Sequence, residues 1–317
     1  MFYDNLPKDK NGFIVLDDIL DKVPMRHKET QIDGHKYFFK MFHGSDNDVR
    51  DKKALAYGRE FAINEIVNEI IAKKFGFGTP DYKLVKYGNL IGVVSTSLEE
   101  KYGNATTLQN LRHDLNFMGF DHCLRFYNEE KKRGNLSNML YDRLQMASLF
   151  GIGLGLYDNH SGNIVVTLDP KDSSKDMISL IDQEKSWGSY YKTKKRLQDA
   201  LQLSSKLRNK LCKDWELNTG LDLMYTKLSI GKTFQDLFDY YKDIRYCDVI
   251  SGEIIKEYLD IMTNLLTNDG IFREINESVE EEYGLKPPKA YMDKLKLVMI
   301  DTAKHIESSF EQREVEM

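Results

Sequence analysis

Leu156 to Asp182 reads LYDNHSGNIVVTLDPKDSSKDMISLID, and its punctuation predicts a loop followed by a β-hairpin. A polar loop, Asp158-Asn159-His160-Ser161-Gly162-Asn163, opens into the apolar run Ile164 to Leu168. A turn-rich patch, Asp169 to Ser174, separates it from a second apolar run, Met177 to Ile181, which ends on Asp182. Asp-Pro and Ser-Ser between two β-branched runs are hairpin signals. Asp158 and Asn163 then sit just before the first strand and Asp182 at the end of the second. A hairpin brings those ends together, so three oxygen-bearing side chains are expected to converge.

That convergence suits phosphoryl transfer. Protein kinases place a catalytic-loop Asp five residues before an Asn that holds Mg²⁺, and a later Asp makes the other metal contact. Asp158 and Asn163 have the same spacing, and Asp182 follows across the hairpin. Mg²⁺ is a hard cation that prefers carboxylate, amide and phosphate oxygens, which fits Asn163 and Asp182. The loop motif alone has a plain alternative, because Asx-rich loops often only make turns.

Working back from the loop, the first hundred residues alternate. Gly12 to Leu16 and Gly34 to Phe42 read as strands. In the second, Tyr37, Phe39 and Met41 share one face, while Lys40 is a cation between Phe38 and Phe42 on the other. A lysine there is either functional or an edge residue reaching for water. Ala54 to Phe75 is helical, with Ile63, Ile66, Val67, Ile70, Ile71 and Phe75 on one stripe and Glu65 beside it. Gly76, Gly78 and Pro80 end that helix. Tyr82–Tyr87 and Leu90–Ser95 read as a hairpin turning at Gly88-Asn89. Strand with Lys, helix with Glu, then a hairpin is the order of a kinase small lobe, in which the Lys meets nucleotide phosphates and pairs with the Glu. Thr96-Ser97-Leu98 would then be the inter-lobe hinge, whose backbone meets the adenine.

Beyond residue 104 the pattern is mostly helical. Thr106 is expected to cap one segment and Ser137 the helix Met139 to Phe150. Gly151, Gly153 and Gly155 lack the offset and strand-to-helix context of a dinucleotide fingerprint, and glycine there suits close helix packing. A last helix is expected from Pro288, with Leu295, Met299 and Ile306 among its inward residues.

The chain has 317 residues, 41% hydrophobic and 30% charged, which suits a soluble globular protein of one bilobal domain or two smaller ones. A net charge of −5 argues against general nucleic-acid binding. Cys123, Cys212 and Cys247 are far apart and suit a reducing compartment. No run is long enough to span a membrane and no signal peptide is evident, so the protein is expected to be made in the cytoplasm.

Asn64 to Gly76 with Thr79-Pro80-Asp81, the turn Lys86-Tyr87-Gly88-Asn89, the loop Asp158 to Asn163 and Asp182 together resemble the HipA-type bacterial kinases. The loop and Asp182 are also similar to those of phosphatidylinositol 3/4-kinase-like enzymes. The recognisable motifs cover roughly residues 30 to 190, and the likeness is greatest to the compact, proinflammatory, cell-translocating members of the group. The resemblance implies an α+β, bilobal protein-kinase-like fold, with a small β-rich N-lobe over 1–96 and a larger, mostly helical C-lobe over 97–317. It implies ATP and Mg²⁺ as cofactors. Lys40 and Glu65 would serve the nucleotide, with the hinge residues Thr96 and Leu98. Asp158 would be the base, His160 would touch the γ-phosphate, and Asn163 and Asp182 would hold the metal.

The implied activity is Ser/Thr protein phosphorylation, autophosphorylation included, with secretion into host cells without a cleaved leader. A lipid or small-molecule kinase and a non-catalytic ATP-binding module are the alternatives. The chain departs from the pattern in two places. Only Gly34 lies between Val23 and Phe38, so Met25 to Thr30 is expected to form a basic loop in place of a glycine-rich one. Asp182-Gln183-Glu184 lacks the Phe-Gly of eukaryotic kinases. With Lys40 so early there is no room before it for the amino-terminal subdomain of HipA, and a toxin–antitoxin role is not expected.

Overall fold

Alternation at residues 35–41 and the two β-branched runs after residue 82 build one five-stranded sheet. The computed structural model describes residues 3–20, 27–41, 52–111, 131–133, 137–154, 161–183 and 250–283, with scattered helical residues from 293 to 311. The fold is α+β. It divides into two compact units, the first comprising Met1–Ala105, Ser179–Glu184 and Asn268–Met292, and the second the remainder.

In the first unit, β1 (Ile14–Val15), β2 (His27–Ile32) and β3 (His35–Met41) precede the long helix α1 (Lys52–Lys74). The hairpin β4 (Lys83–Tyr87) and β5 (Leu90–Thr96) follows, then the short helix α2 (Leu98–Tyr102). The sheet order is β1-β4-β5-β3-β2, with β1 parallel to β4 and the other pairs antiparallel. Tyr37, Phe39 and Met41 on one face of β3 join Val85, Leu90 and Val94 in a core. Tyr3, Leu6, Leu16 and Leu20 of the first twenty residues pack onto the same core.

Part of the expected basic loop is a strand. His27 to Ile32 pairs with β3 from His27↔Lys40 to Ile32↔His35. An edge strand is bonded to one neighbour only and faces water, so its polar sequence hid it from a hydrophobic-alternation reading.

Helix α1 ends as its glycines foretold. Gly76 takes a φ of 74°, and the Phe77 N–H reaches back to the Ala72 carbonyl at 3.1 Å. The helix is not the one-sided amphipathic element that its apolar stripe suggested. Residues 62–69 are all buried, Asn64, Glu65, Asn68 and Glu69 among them. Helix α6 (Asp269–Tyr283) and strand β5 both pack against α1.

Further along the chain, β6 (Ala105–Thr107) leads into α3 (Leu108–Leu111), whose Asn110 N–H is capped by Thr107, not Thr106. Helix α4 (Asn138–Gly153) starts at Ser137, whose hydroxyl accepts from the Leu140 N–H at 3.2 Å, as expected of a cap. A 3-10 turn, Ser161–Asn163, precedes β7 (Ile164–Thr167), which neighbours β8 (Met177–Leu180) in a β6-β7-β8 sheet. Helix α5 (Gly252–Thr267) packs on α4. A Cβ on Gly153 would lie 2.0 Å from the Tyr258 hydroxyl, so the glycine is what lets those helices close. Leu295 and Met299 are buried helical residues, while Pro288 lies outside the described residues. Among the described residues, no helix is long and apolar enough to cross a membrane.

Candidate active site

The polar face of β3 and the buried face of α1 meet at one lysine. Lys40 Nζ donates to Glu65 Oε1 at 3.0 Å and to Asp182 Oδ1 at 2.8 Å. Lys40 is 7% exposed and Glu65 0%, so this is a buried charge centre and not a lysine reaching for water. Removing ions from water costs several kcal/mol each, and such a cluster persists only when the charges pair and their remaining hydrogen-bonding atoms are met. Here they are. The second Glu65 oxygen accepts the Gln183 N–H at 2.9 Å. The Gln183 carbonyl accepts from Asn68 Nδ2 at 2.8 Å.

Asp182 follows β8 and sits between these contacts in a left-handed conformation, φ 57°. Its N–H points to the Tyr82 hydroxyl at 3.5 Å. Burial, with Glu65 and Asp182 nearby, pushes the Tyr82 phenol well above its usual pKa, so it stays neutral. The Asp182 side chain keeps a third of its surface open, unlike Glu65.

One helical turn beyond Glu65 a second network fixes the exit of α1. Glu69 accepts from Lys73 Nζ at 2.8 Å and from the Tyr82 N–H at 2.6 Å. Burial pushes the Glu69 carboxyl up, against the pull of Lys73. Asp81 bonds Lys73 at 3.1 Å and also pairs with Lys101. Burial works against its ionised form, but Lys101 and then Lys73 hold its pKa below the ordinary carboxylate value. Lys101 and Tyr102 also bond the Thr79 carbonyl, at 3.0 and 3.2 Å.

The remaining expected residues fall in several places. Thr96 is buried, with its hydroxyl donating to the Pro80 carbonyl at 3.4 Å, and Leu98 is buried at the start of α2. Neither offers its side chain outward. Asn163 belongs to the second unit, where it is buried at the end of the 3-10 turn on which α3 packs. Asp158 and His160 lie outside the described residues, as does the basic segment Lys192 to Arg196.

Three contributors were not anticipated as site residues. Asn68 and Glu69 repeat the Asn64-Glu65 pair one turn later, and polar pairs recurring inside an Ile/Val helix were the available signal. Gly92, inside β5 opposite Met41, is the third. A Cβ there would lie 2.3 Å from the Lys40 carbonyl oxygen, so glycine sets the backbone of the lysine.

Asp182 and Asn163, each in its own unit, carry oxygens of the kind that Mg²⁺ takes. Such an ion takes one or two protein oxygens and completes its shell with water and phosphate. Among the described residues no group of three or more His, Cys, Asp or Glu forms a closed metal cage. The part-open carboxylate of Asp182 and the amide of Asn163 are donors of the right kind.

No protein-family model matches the chain, and no curated protein matches it in sequence. Among solved structures it is similar to the Helicobacter pylori proinflammatory kinase CtkA, at 13% identity over 93% of this chain and 96% of that one, with a TM-score of 0.47. It is also similar to HipA of Shewanella oneidensis MR-1, solved with HipB and operator DNA as a toxin–antitoxin system. There the identity is 11% over 92% of this chain and 67% of that one, and the TM-score is 0.44. Both are HipA-like kinases.

Proposed function

We propose that the protein is an ATP- and Mg²⁺-dependent kinase that phosphorylates Ser/Thr hydroxyls on proteins, itself included. The observation that carries this reading is the buried Lys40 held between Glu65 and Asp182, 3.0 and 2.8 Å away. A lysine engaged by a helix glutamate and by an aspartate at a strand end is the pairing that phosphoryl-transfer sites of this type use.

ATP supplies the phosphoryl group and Mg²⁺ offsets its charge. Lys40 would hold phosphate oxygens, and Glu65 keeps the ammonium in place. Asp182 and Asn163 would hold the metal. Asp158 orients the acceptor hydroxyl and takes its proton, with His160 at the γ-phosphate. Positioning and fixed charge then carry most of the catalysis. The reading treats 1–96 and 97–317 as lobes, with the Thr96 and Leu98 backbone as the hinge. A destination inside host cells is part of the same proposal and follows from the motif resemblance.

The test offers γ-labelled ATP and Mg²⁺ to the purified chain with two acceptors, a generic basic protein and phosphoinositide vesicles, and uses Asp158→Asn as the blank. Label in the chain and the basic protein, mapped to Ser or Thr, is expected. Label in lipid alone overturns the protein acceptor, and no label above the blank overturns the kinase.

A further inference from the structure

Helix α1 holds more than the lysine. Glu65 accepts the Gln183 N–H at 2.9 Å, and Asn68, three positions on and so on the same helix face, donates to the Gln183 carbonyl at 2.8 Å. Both backbone groups of the residue after Asp182 are therefore gripped by one face of one helix.

We infer that Asn68 is a positioning residue for Asp182, fixing through the Gln183 backbone the direction in which the Asp182 carboxylate is presented. The inference rests on the kinase reading above and adds to it a residue with no contact to nucleotide or acceptor.

Three observations support it. Asn68 is 0% exposed, between the buried Val67 and the buried Ile71, where an apolar residue is the ordinary occupant. A buried carboxamide is tolerated only for the bonds that it makes. Among the described residues neither Asn68 Oδ1 nor Gln183 Oε1 has a hydrogen-bond partner, so the local polar network is incomplete and the backbone contact is what Asn68 secures. The amide orientation also follows from the chemistry, since an oxygen at the Nδ2 position would face the Gln183 carbonyl oxygen.

The third observation is the backbone of Asp182. A non-glycine residue at φ 57° persists only where its surroundings over-determine it. Lys40 binds its side chain, Tyr82 its N–H, and Glu65 and Asn68 the N–H and the carbonyl of the next residue. Without the Asn68 contact, the Gln183 carbonyl loses its grip and the carboxylate direction loosens. A loosened metal ligand weakens metal-dependent binding while leaving metal-free binding alone.

The test uses the full chain and Asn68→Asp, which keeps the size but replaces the N–H donor by an oxygen. Asn68→Ser, which removes the carboxamide without burying a charge, decides the matter if Asn68→Asp does not fold. ADP affinity is measured by calorimetry with Mg²⁺ and with a chelator. The variants are expected to bind metal-free ADP within about twofold of wild type and to lose roughly tenfold of the gain that Mg²⁺ brings, the scale on which residues supporting a metal ligand act. Equal losses with and without metal would show Asn68 to be structural and overturn the inference, as would an unchanged Mg²⁺ gain. A wild type whose ADP affinity ignores Mg²⁺ overturns the kinase reading and this inference together, which separates the two failures.

Discussion

Helices α1 and α5 bury their residues by opposite rules. In α5, Ile254, Ile255, Tyr258, Met262 and Leu265 form one buried stripe, and the charged residues Glu253, Lys256, Glu257 and Asp260 lie off it. In α1, eight consecutive residues are buried and four of them are Asn or Glu. One helix follows the pattern of packing, and the other gives core positions to groups that must find partners there. The difference sets a buried polar network in α1 against a packing stripe in α5, and substitutions can test what each one serves.

The largest effect is expected at Lys40. Lys40→Met should lower phosphoryl transfer on the order of 10²–10³-fold, the scale of removing one preorganised charge donor. It should also destabilise the fold by about 3–5 kcal/mol, because Glu65 is left buried without its cation. Adding Glu65→Gln should restore much of that stability in denaturant titrations while activity stays lost, since it removes the unpaired buried charge and its amide oxygen can still accept the Gln183 N–H. Stability that stays low in the double variant would mean that the triad is scaffolding after all.

On the α5 side, Gly153→Ala drives a methyl group to 2.0 Å from the Tyr258 hydroxyl and 2.9 Å from Met262. Overpacking of this kind should cost about 1–3 kcal/mol in denaturant titrations. Affinity for Mg²⁺-ADP should be unchanged, and a parallel loss of affinity would erase the contrast between the helices.

Glu65→Gln is milder. The amide oxygen still accepts one hydrogen bond, so activity should fall about tenfold, the rate equivalent of one weakened charge-assisted bond.

The smallest effect belongs to the second network. Asp81 has its folded pKa held below its ordinary 3.8, so its contribution to stability is present above pH 3.8 and is lost as pH falls through the lower folded value. The stability advantage of wild type over Asp81→Asn should therefore be constant near neutrality and fade in acid below that point. An advantage that grows in acid would contradict the sign.

Much of the Lys40 site was legible because its parts obey local rules. A cation on an aromatic strand face, a glutamate beside a helix stripe and a hairpin ending in Asp182 each leave a short-range mark. The contact of Lys40 with Asp182 joins two such marks and was not anticipated as a direct bond. Asn68 and Glu69 escaped because a polar residue on a helix reads as a surface residue unless something outside the helix covers it. The cover comes from residues 82 and 183, which no periodicity within α1 reports. Strand β2 escaped because it lies at an edge, where Glu29 and Gln31 face water and break the apolar alternation. Gly92 read as one more strand residue, since the close approach that demands it belongs to the backbone of another strand.

The 2.8 Å bond between Lys40 and Asp182 joins residues 142 positions apart. Translation at roughly 5–20 residues per second puts roughly 7–28 s between the synthesis of Lys40 and that of Asp182. Helix α6, which packs on α1, is synthesised later still. During that interval Glu65 and Lys40 exist in a chain that cannot yet complete their site, whatever else of the sheet has formed. The order of synthesis itself thus withholds the finished charge centre from the nascent chain until most of the protein has been translated.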